Sequence, residues 1–132
     1  MAVRKKRIVA LDDSAIIVRM LEVLLGSNYE FRGFTKADRA LAFLGVQEAD
    51  LLILDIDMPE MNGIEVLDRI RANPESAMPI IMLTSNNDKG HVLECFKHGA
   101  NDYALKPIDE EAFIQKINKL LYMKKRKDVK EK

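Results

Sequence analysis

Five short apolar runs alternate with five amphipathic segments, and this alternation is the clearest pattern in the chain. Residues 51–54 are four consecutive apolar residues, which is typical of a strand buried on both faces of a parallel sheet. The pattern predicts strands at residues 7–11, 29–34, 51–55, 79–84 and 102–105, with a helix after each strand. This alternation predicts an α/β fold, a doubly wound parallel sheet of five strands with five flanking helices.

Capping residues locate the predicted helices. Ser14 and Asp109 are expected to be N-caps, and Thr35 with Asp38 resembles a capping box. Asn62 and Gly63 form a turn that leads into the third helix. Three helices are expected to end at glycines, namely Gly26, Gly45 and Gly99. The last helix is expected to end near Met123.

Polar residues follow four of the apolar runs at the points where those strands end. Asp12 and Asp13 follow the first strand, and Asp55 ends the third. Thr84 with Ser85 ends the fourth strand, and Lys106 follows the fifth. The carboxyl ends of parallel strands share one edge of a sheet, and ligands bind at that edge. We therefore expect these side chains to converge.

Three carboxylates at one edge require positive charge. Two unit charges about 4 Å apart repel by about 4 kcal/mol at an effective dielectric constant of about 20. Lys106 supplies one cation, and Mg²⁺ is the natural supplement because carboxylate and carbonyl oxygens suit it. The two histidines and the single Cys95 do not form a zinc set. A metal, a lysine and a hydroxyl around one carboxylate are typical of phosphoryl transfer, with the carboxylate as nucleophile.

Composition narrows the class of protein. The 132 residues fit one domain, and the basic and acidic residues balance at 21 each. No apolar run reaches membrane-spanning length, and one cysteine suits a reducing compartment, so a cytoplasmic location is expected. Basic residues concentrate at both ends. We divide the chain into a basic extension (1–6), a domain (7–123) and a charged tail (124–132), and we predict no direct binding to nucleic acid or membrane.

Four motifs in this order resemble the receiver domain of two-component response regulators, over residues 7–123. They are VALDDS at 9–14, LLILDIDMPEMNG at 51–63, MLTS at 82–85 and GANDYALKP at 99–107. The resemblance implies the flavodoxin-like strand order 2-1-3-4-5. It also implies a phosphorylated signalling module, rather than a conventional enzyme, that catalyses its own phosphorylation and dephosphorylation.

The resemblance also implies roles for individual residues. Asp55 would accept a phosphoryl group from a phosphohistidine of a sensor histidine kinase or a phosphotransfer protein. Asp13, Asp55 and the backbone carbonyl of Asp57 would bind Mg²⁺ directly, and Asp12 would bind it through water. Lys106 would pair with the phosphoryl group or with Asp55, and its bond to Pro107 is commonly cis in this family.

The resemblance also implies a conformational switch controlled by phosphorylation. The Thr84 hydroxyl would turn to a phosphoryl oxygen, and Tyr103 would become buried. The face formed by helix 4, strand 5 and helix 5 would then change towards a downstream partner or effector, with the protein either monomeric or dimeric through helices 4 and 5. Asp57 and Asn86 would tune the lifetime of the phosphoryl group.

Three other functions are weighed. Asp55 and Asp57 also resemble the DxD nucleophile motif of haloacid-dehalogenase-like phosphatases, but Asp12 and Asp13 precede that motif here. A receiver that acts as a scaffold without phosphorylation is disfavoured by the complete residue set. A nucleotide-binding Rossmann domain is disfavoured because no glycine-rich loop follows the first strand. His91 and His98 are expected to be exposed or capping residues.

Overall fold

The computed structural model describes residues 4–130, and the side chains of residues 4–122. Strands and helices alternate throughout, as the apolar pattern predicts. The strands are β1 (Arg7–Leu11), β2 (Glu30–Phe34), β3 (Leu51–Asp55), β4 (Ile80–Thr84) and β5 (Asp102–Leu105). The helices are α1 (Ala15–Leu25), α2 (Ala37–Val46), α3 (Gly63–Arg71), α4 (Lys89–Lys97) and α5 (Glu110–Lys130).

The five strands form one parallel sheet in the order β2-β1-β3-β4-β5, which confirms the predicted fold class. Every residue of β3 and β4 is buried, whereas the edge strands β2 and β5 are partly exposed. The continuous apolar runs therefore belong to strands covered on both faces.

Helices cover both faces of the sheet. On one face, Ile8, Ile53 and Leu83 pack with residues of α1 and α5, including Leu21 and Phe113. The other face has a second cluster around Val9, Leu52 and Met82, joined by Ala40 of α2, Leu67 of α3 and Cys95 of α4. Successive residues of each central strand alternate between the two clusters because side chains along a strand point to opposite faces.

Side-chain caps begin four of the helices. Ser14 accepts a hydrogen bond from the Ile17 amide, and Asn62 accepts one from the Glu65 amide. Asp88 and Asp109 accept from the amides of His91 and Ala112. Each cap satisfies an amide that lacks a partner within its own helix, which explains why these helices begin where they do.

Helix α2 differs from the prediction at both ends. Its N-cap is Lys36, which makes no side-chain capping bond, so the capping box of Thr35 and Asp38 is wrong. The Asp38 carboxylate accepts from the adjacent Arg39 amide instead. Gly45 does not end the helix, which continues to Val46. Gly45 has no positive φ, so it lacks the left-handed conformation with which a glycine commonly ends a helix.

The final helix also differs from the prediction, because α5 continues to Lys130 rather than ending near Met123. Residues 124–130 contain neither glycine nor proline, and lysine and arginine have good helix propensity. The division at residue 123 thus falls within a helix, and residues 1–3 and 131–132 of the proposed extensions lie outside the described residues. Within the described chain, none of the helices combines the length and apolar character needed to cross a bilayer.

Candidate phosphoryl and metal site

The parallel register brings the predicted polar residues to one edge of the sheet. Asp12 follows β1 directly, Asp55 and Thr84 are the last residues of β3 and β4, and Lys106 follows β5. Backbone hydrogen bonds continue the pairing past the strand ends. The Asp12 amide donates to Phe34, and the Lys106 amide donates to Thr84. The backbone therefore fixes where each side chain begins.

Three carboxylates converge at this edge. Asp12, Asp13 and Asp55 each offer an oxygen, and these oxygens lie within 4.8 Å of one another. Asp12 is fully buried and Asp55 is 1% exposed, whereas Asp13 is exposed. Two of the three carboxylates are thus largely removed from water, where an unpaired charge is costly.

Lys106 supplies the positive charge that the described structure places against the two buried carboxylates. Its Nζ lies 2.9 Å from Oδ2 of Asp12 and 3.2 Å from Oδ1 of Asp55. Only the contact with Asp55 also has hydrogen-bond geometry. Burial lowers the pKa of Lys106, but the contacts with Asp12 and Asp55 and the charges of those carboxylates outweigh that effect and raise the pKa. The ammonium group therefore stays charged.

One lysine does not offset all the negative charge. Burial first, and then the charge of Asp12, raise the pKa of Asp55 to about 7, although Lys106 acts to lower it. A carboxyl group with this pKa holds its proton over much of the range in which an ordinary aspartate is ionised. The site is therefore short of positive charge.

The donor set suits a divalent cation such as Mg²⁺. Oδ2 of Asp12 and Oδ2 of Asp55 are buried and accept no hydrogen bond from the described residues. These two oxygens, with the exposed carboxylate of Asp13, are the hard ligands that Mg²⁺ prefers. A bound cation would also favour the ionised form of Asp55, because its charge opposes the repulsion from Asp12.

Two backbone features hold Asp55 in place. The Asp57 amide donates to Oδ1 of Asp55 at 3.2 Å, while the Asp57 side chain is exposed and its carboxylate lies outside the acidic cluster. The Gly63 amide donates to the Ile56 carbonyl at 2.8 Å. A Cβ at Gly63 would lie 2.3 Å from the Asp55 carbonyl oxygen, so only glycine permits this approach of α3 to the end of β3.

Thr84 begins a ladder of hydrogen bonds that leads to α4. Its Oγ1 accepts from the Asn86 amide at 2.9 Å, and Oδ1 of Asn86 accepts from the Asp88 amide at 2.9 Å. Asp88 is the N-cap of α4. A rotation of the Thr84 hydroxyl would break its bond with the Asn86 amide. Thr84 is therefore connected to the start of α4 by two successive hydrogen bonds.

Tyr103, the other predicted switch residue, is partly buried on β5. Its ring lies edge-on to Phe96 of α4, with 6.3 Å between the ring centroids. The Lys116 ammonium lies 5.6 Å from the centre of the same ring. Tyr103 therefore contacts both α4 and α5, although it does not belong to the carboxylate cluster.

His91 lies near the site and differs from the expectation of an exposed or capping residue, because it is only partly exposed. It lines an open pocket of about 620 Å³ together with Asp13, Asp57 and Glu94, and its Nε2 is buried without a partner among the described residues. His98 instead contacts Asp68 of α3 through Nδ1, at 2.6 Å. Helical spacing alone does not show which residues of the β3–α3 turn face His91.

The sequence matches the family model described as the response regulator receiver domain over residues 8–118. The chain is 37% identical over 105 residues to the two-component response regulator ARR10 of Arabidopsis thaliana, covering 77% of this chain and 19% of that protein. It is 32% identical to the DNA-binding response regulator MtrA of Mycolicibacterium paratuberculosis, covering 86% of this chain and 50% of that protein. The chain thus spans about half or less of the length of these curated relatives.

Solved structures agree with the sequence matches. The chemotaxis protein CheY4 of Vibrio cholerae superposes with a TM-score of 0.83 at 27% identity, covering 88% of this chain and 98% of that one. A CheY-like receiver domain protein from Methanospirillum hungatei gives a TM-score of 0.85 at 26% identity, covering 93% of this chain and 98% of that one. Family match, fold and strand order agree, and this chain belongs to the response regulator receiver domain family of two-component signalling.

Proposed function

We propose that this receiver domain accepts a phosphoryl group on Asp55 with the help of Mg²⁺. The observation that carries the proposal is the convergence of Asp12, Asp13 and Asp55 around a short contact between Asp55 and Lys106. A buried carboxylate flanked by a lysine and by further metal-ligating carboxylates has the parts that phosphoryl transfer needs. Membership of the family makes a histidine kinase and a downstream effector the expected classes of partner.

In the proposed reaction an oxygen of the Asp55 carboxylate attacks the phosphorus atom of a phosphohistidine. The new O–P bond gives an aspartyl phosphate, the P–N bond breaks, and the imidazole nitrogen takes the electron pair. Lys106 is close enough to pair with the transferred group, and its positive charge offsets the charge on the phosphoryl oxygens. Asp13, Asp55 and the Asp57 carbonyl would hold Mg²⁺, with Asp12 acting through water. The metal would supply further charge neutralisation.

The conformational change that follows phosphorylation would begin at Thr84. Its hydroxyl would leave the Asn86 amide and donate to a phosphoryl oxygen, and the ladder from Asn86 to Asp88 would then shift α4. Tyr103 would respond because it packs against Phe96 of α4. We place the partner surface on α4, β5 and α5, where three large apolar residues are exposed: Leu93, Phe96 and Leu105.

Intact mass spectrometry tests the proposal. The protein is incubated with Mg²⁺ and acetyl phosphate, beside the variants Asp55→Asn and Asp57→Asn. We expect one added phosphoryl group in the wild type and in Asp57→Asn, and none in Asp55→Asn or without Mg²⁺. Asp57→Asn is the matched control because its carboxylate lies outside the acidic cluster. An adduct of the same yield in Asp55→Asn would refute the assigned acceptor.

Very fast hydrolysis would also leave no adduct, and a second measurement separates that case from a scaffold without phosphorylation. Beryllofluoride occupies an aspartyl phosphate site without a hydrolysable bond. We expect it to shift the NMR signals of Tyr103 and Asn86 when Mg²⁺ is present. The absence of both the adduct and this shift would favour the scaffold alternative.

A further inference from the structure

The basic run before β1 and helix α5 both contact the turn between α1 and β2, at the edge of the sheet opposite to Asp55. Residues 4–6 lead into β1, where the Lys6 carbonyl accepts from the Glu30 amide at 2.8 Å. Lys5 donates from Nζ to the Ser27 carbonyl at 3.0 Å, in the turn between α1 and β2. Helix α5 returns to this same turn, because Tyr29 donates from its hydroxyl to Asn118 at 2.5 Å. Residues after Asn118 therefore start from a point near the turn that Lys5 contacts.

Basic and acidic residues are distributed unevenly between these two basic runs and the rest of the chain. Residues 4–7 and 124–132 contain ten of the 21 basic residues and only two of the 21 acidic ones. The rest of the chain therefore has eleven basic and nineteen acidic residues, a net charge of −8 against +8 for the two runs. The zero net charge of the whole chain does not reveal this uneven distribution.

Two acidic side chains near this edge, Glu30 and Asp50, already have partners within the fold. Arg7 donates to the Glu30 carboxylate at 2.6 Å, and its amide donates to Asp50 at 2.8 Å. The bond from Arg7, with the charges of Arg7, Arg32 and Arg4, lowers the pKa of Glu30. Arg7 is therefore already bonded to acidic residues of the fold. Four other basic side chains are exposed, namely Arg4, Lys5, Lys6 and Lys119.

An aromatic ring lies among these charges. Tyr122 is 65% exposed, one turn after Lys119 on α5, and it is near enough to Tyr29 for its charge to raise the Tyr29 pKa, after burial. Residues 123–130 then extend α5 by about 12 Å at the rise of an α-helix. Basic residues beside an exposed aromatic ring are the combination that holds single-stranded nucleic acid, by phosphate contacts and by stacking.

We propose that this basic edge, formed by Arg4, Lys5, Lys6, Lys119, Tyr122 and the backbone segment 123–130, binds nucleic acid. Phosphate contacts supply most of the affinity, and stacking on Tyr122 makes single strands bind more tightly than duplexes. An anionic membrane fits less well, because stable attachment needs an apolar or lipid anchor beside the basic charge, and residues 124–132 have one apolar residue, Val129. This proposal departs from our sequence-based expectation of no direct nucleic-acid binding, and it does not depend on phosphorylation of Asp55.

Fluorescence anisotropy tests the proposal with the full 132-residue chain. The probes are a labelled single strand of about 20 nucleotides and its duplex, titrated at about 50 to 200 mM salt. Two double variants remove charge at the basic edge, Lys5→Gln with Lys6→Gln and Lys124→Gln with Lys125→Gln. We expect each to weaken binding on the order of tenfold and to reduce the salt dependence. Tyr122→Ser should weaken binding to the single strand more than to the duplex.

The matched control is Lys36→Gln with Lys89→Gln, which removes the same charge from exposed residues at the starts of α2 and α4. It should change the affinity less than twofold, and circular dichroism checks that all variants are folded. Three results would overturn the proposal: no binding at low salt, an equal loss in the control, or binding to phosphatidylserine vesicles but not to either oligonucleotide.

Discussion

At the scale of single residues, the site depends on keeping Asp55 buried beside a second carboxylate. Lys106 contacts both groups, yet the pKa of Asp55 is still raised to about 7. A raised pKa means that the folded protein binds the proton of Asp55 more tightly than the unfolded chain does. The metal-free protein therefore loses stability from this group as the pH rises from about 4 to about 7.

The variant Asp55→Asn should therefore be more stable than the wild type at about pH 8 without metal. Each unit of pKa difference is worth about 1.4 kcal/mol. Because the variant also loses the bond from Lys106, we expect a net gain of about 1 to 2 kcal/mol. Urea unfolding in EDTA measures it. The gain should shrink towards zero below about pH 4, where Asp55 becomes protonated in the unfolded chain as well as in the folded protein. A variant that is less stable than the wild type at about pH 8 would contradict the burial argument.

Binding of Mg²⁺ should increase the free energy of unfolding, because the cation offsets the repulsion among the three carboxylates. Mg²⁺ at about tenfold over its dissociation constant would stabilise the wild type by about 1.4 kcal/mol. Asp13→Asn should lose most of this gain, because Asp13 is the exposed member of the cluster and its loss removes a ligand without disturbing the core. Thermal unfolding with and without Mg²⁺ gives the comparison, with Asp57→Asn as the control. Equal stabilisation of Asp13→Asn and the wild type would place the cation elsewhere.

At the scale of elements, the loop between β4 and α4 links the site to the partner surface. Thr84→Ala should remove the oxygen that accepts from the Asn86 amide, while Asp55 and Lys106 remain in place. We expect the variant to be phosphorylated by acetyl phosphate but to show less than about half of the shift at Tyr103 on phosphorylation or beryllofluoride binding. Thr84→Ser keeps the hydroxyl and should keep the shift. A full shift in Thr84→Ala would show that the change at Tyr103 does not depend on the Thr84 hydroxyl.

A glycine inside α2 and a glycine just after α4 should respond oppositely to the same substitution. A Cβ at Gly45 would meet nothing within 4 Å, and the residue lies inside α2, so Gly45→Ala should stabilise the protein by about 0.5 to 1 kcal/mol. Gly99 has a φ of +110°, and a Cβ there would lie 2.9 Å from Arg71 Cγ. Gly99→Ala should therefore destabilise by more than about 1 kcal/mol. Urea unfolding of both variants measures the contrast, and a loss of stability in Gly45→Ala would contradict our account of α2.

At the scale of the whole molecule, the apolar pattern was sufficient to predict the sheet. The runs in β1, β3 and β4 are buried on both faces, so they stand out in the sequence. Their polar ends were sufficient to predict which side chains converge, because parallel strands share one carboxyl edge. The start of α2 was not predictable in the same way. Thr35 and Asp38 fit the sequence pattern of a capping box, but the N-cap is Lys36 and makes no side-chain capping bond.

Other features depend on contacts between segments distant in sequence. The buried Nε2 of His91 depends on how α4 packs against the turn after β3. The approach of α5 to the turn that Lys5 contacts depends on the bond between Tyr29 and Asn118. Local patterns carry no information about such pairings, and the strand order alone does not supply the side-chain contacts.

The central claim is that Asp55 carries the phosphoryl group, and chemical trapping tests it most directly. After incubation with Mg²⁺ and acetyl phosphate, borohydride reduces an aspartyl phosphate to homoserine, and peptide mass spectrometry then locates the changed residue. Our account predicts homoserine at position 55, only when both reagents were present. Homoserine at Asp12, Asp13 or Asp57, or a phosphoryl adduct that yields no homoserine, would contradict it.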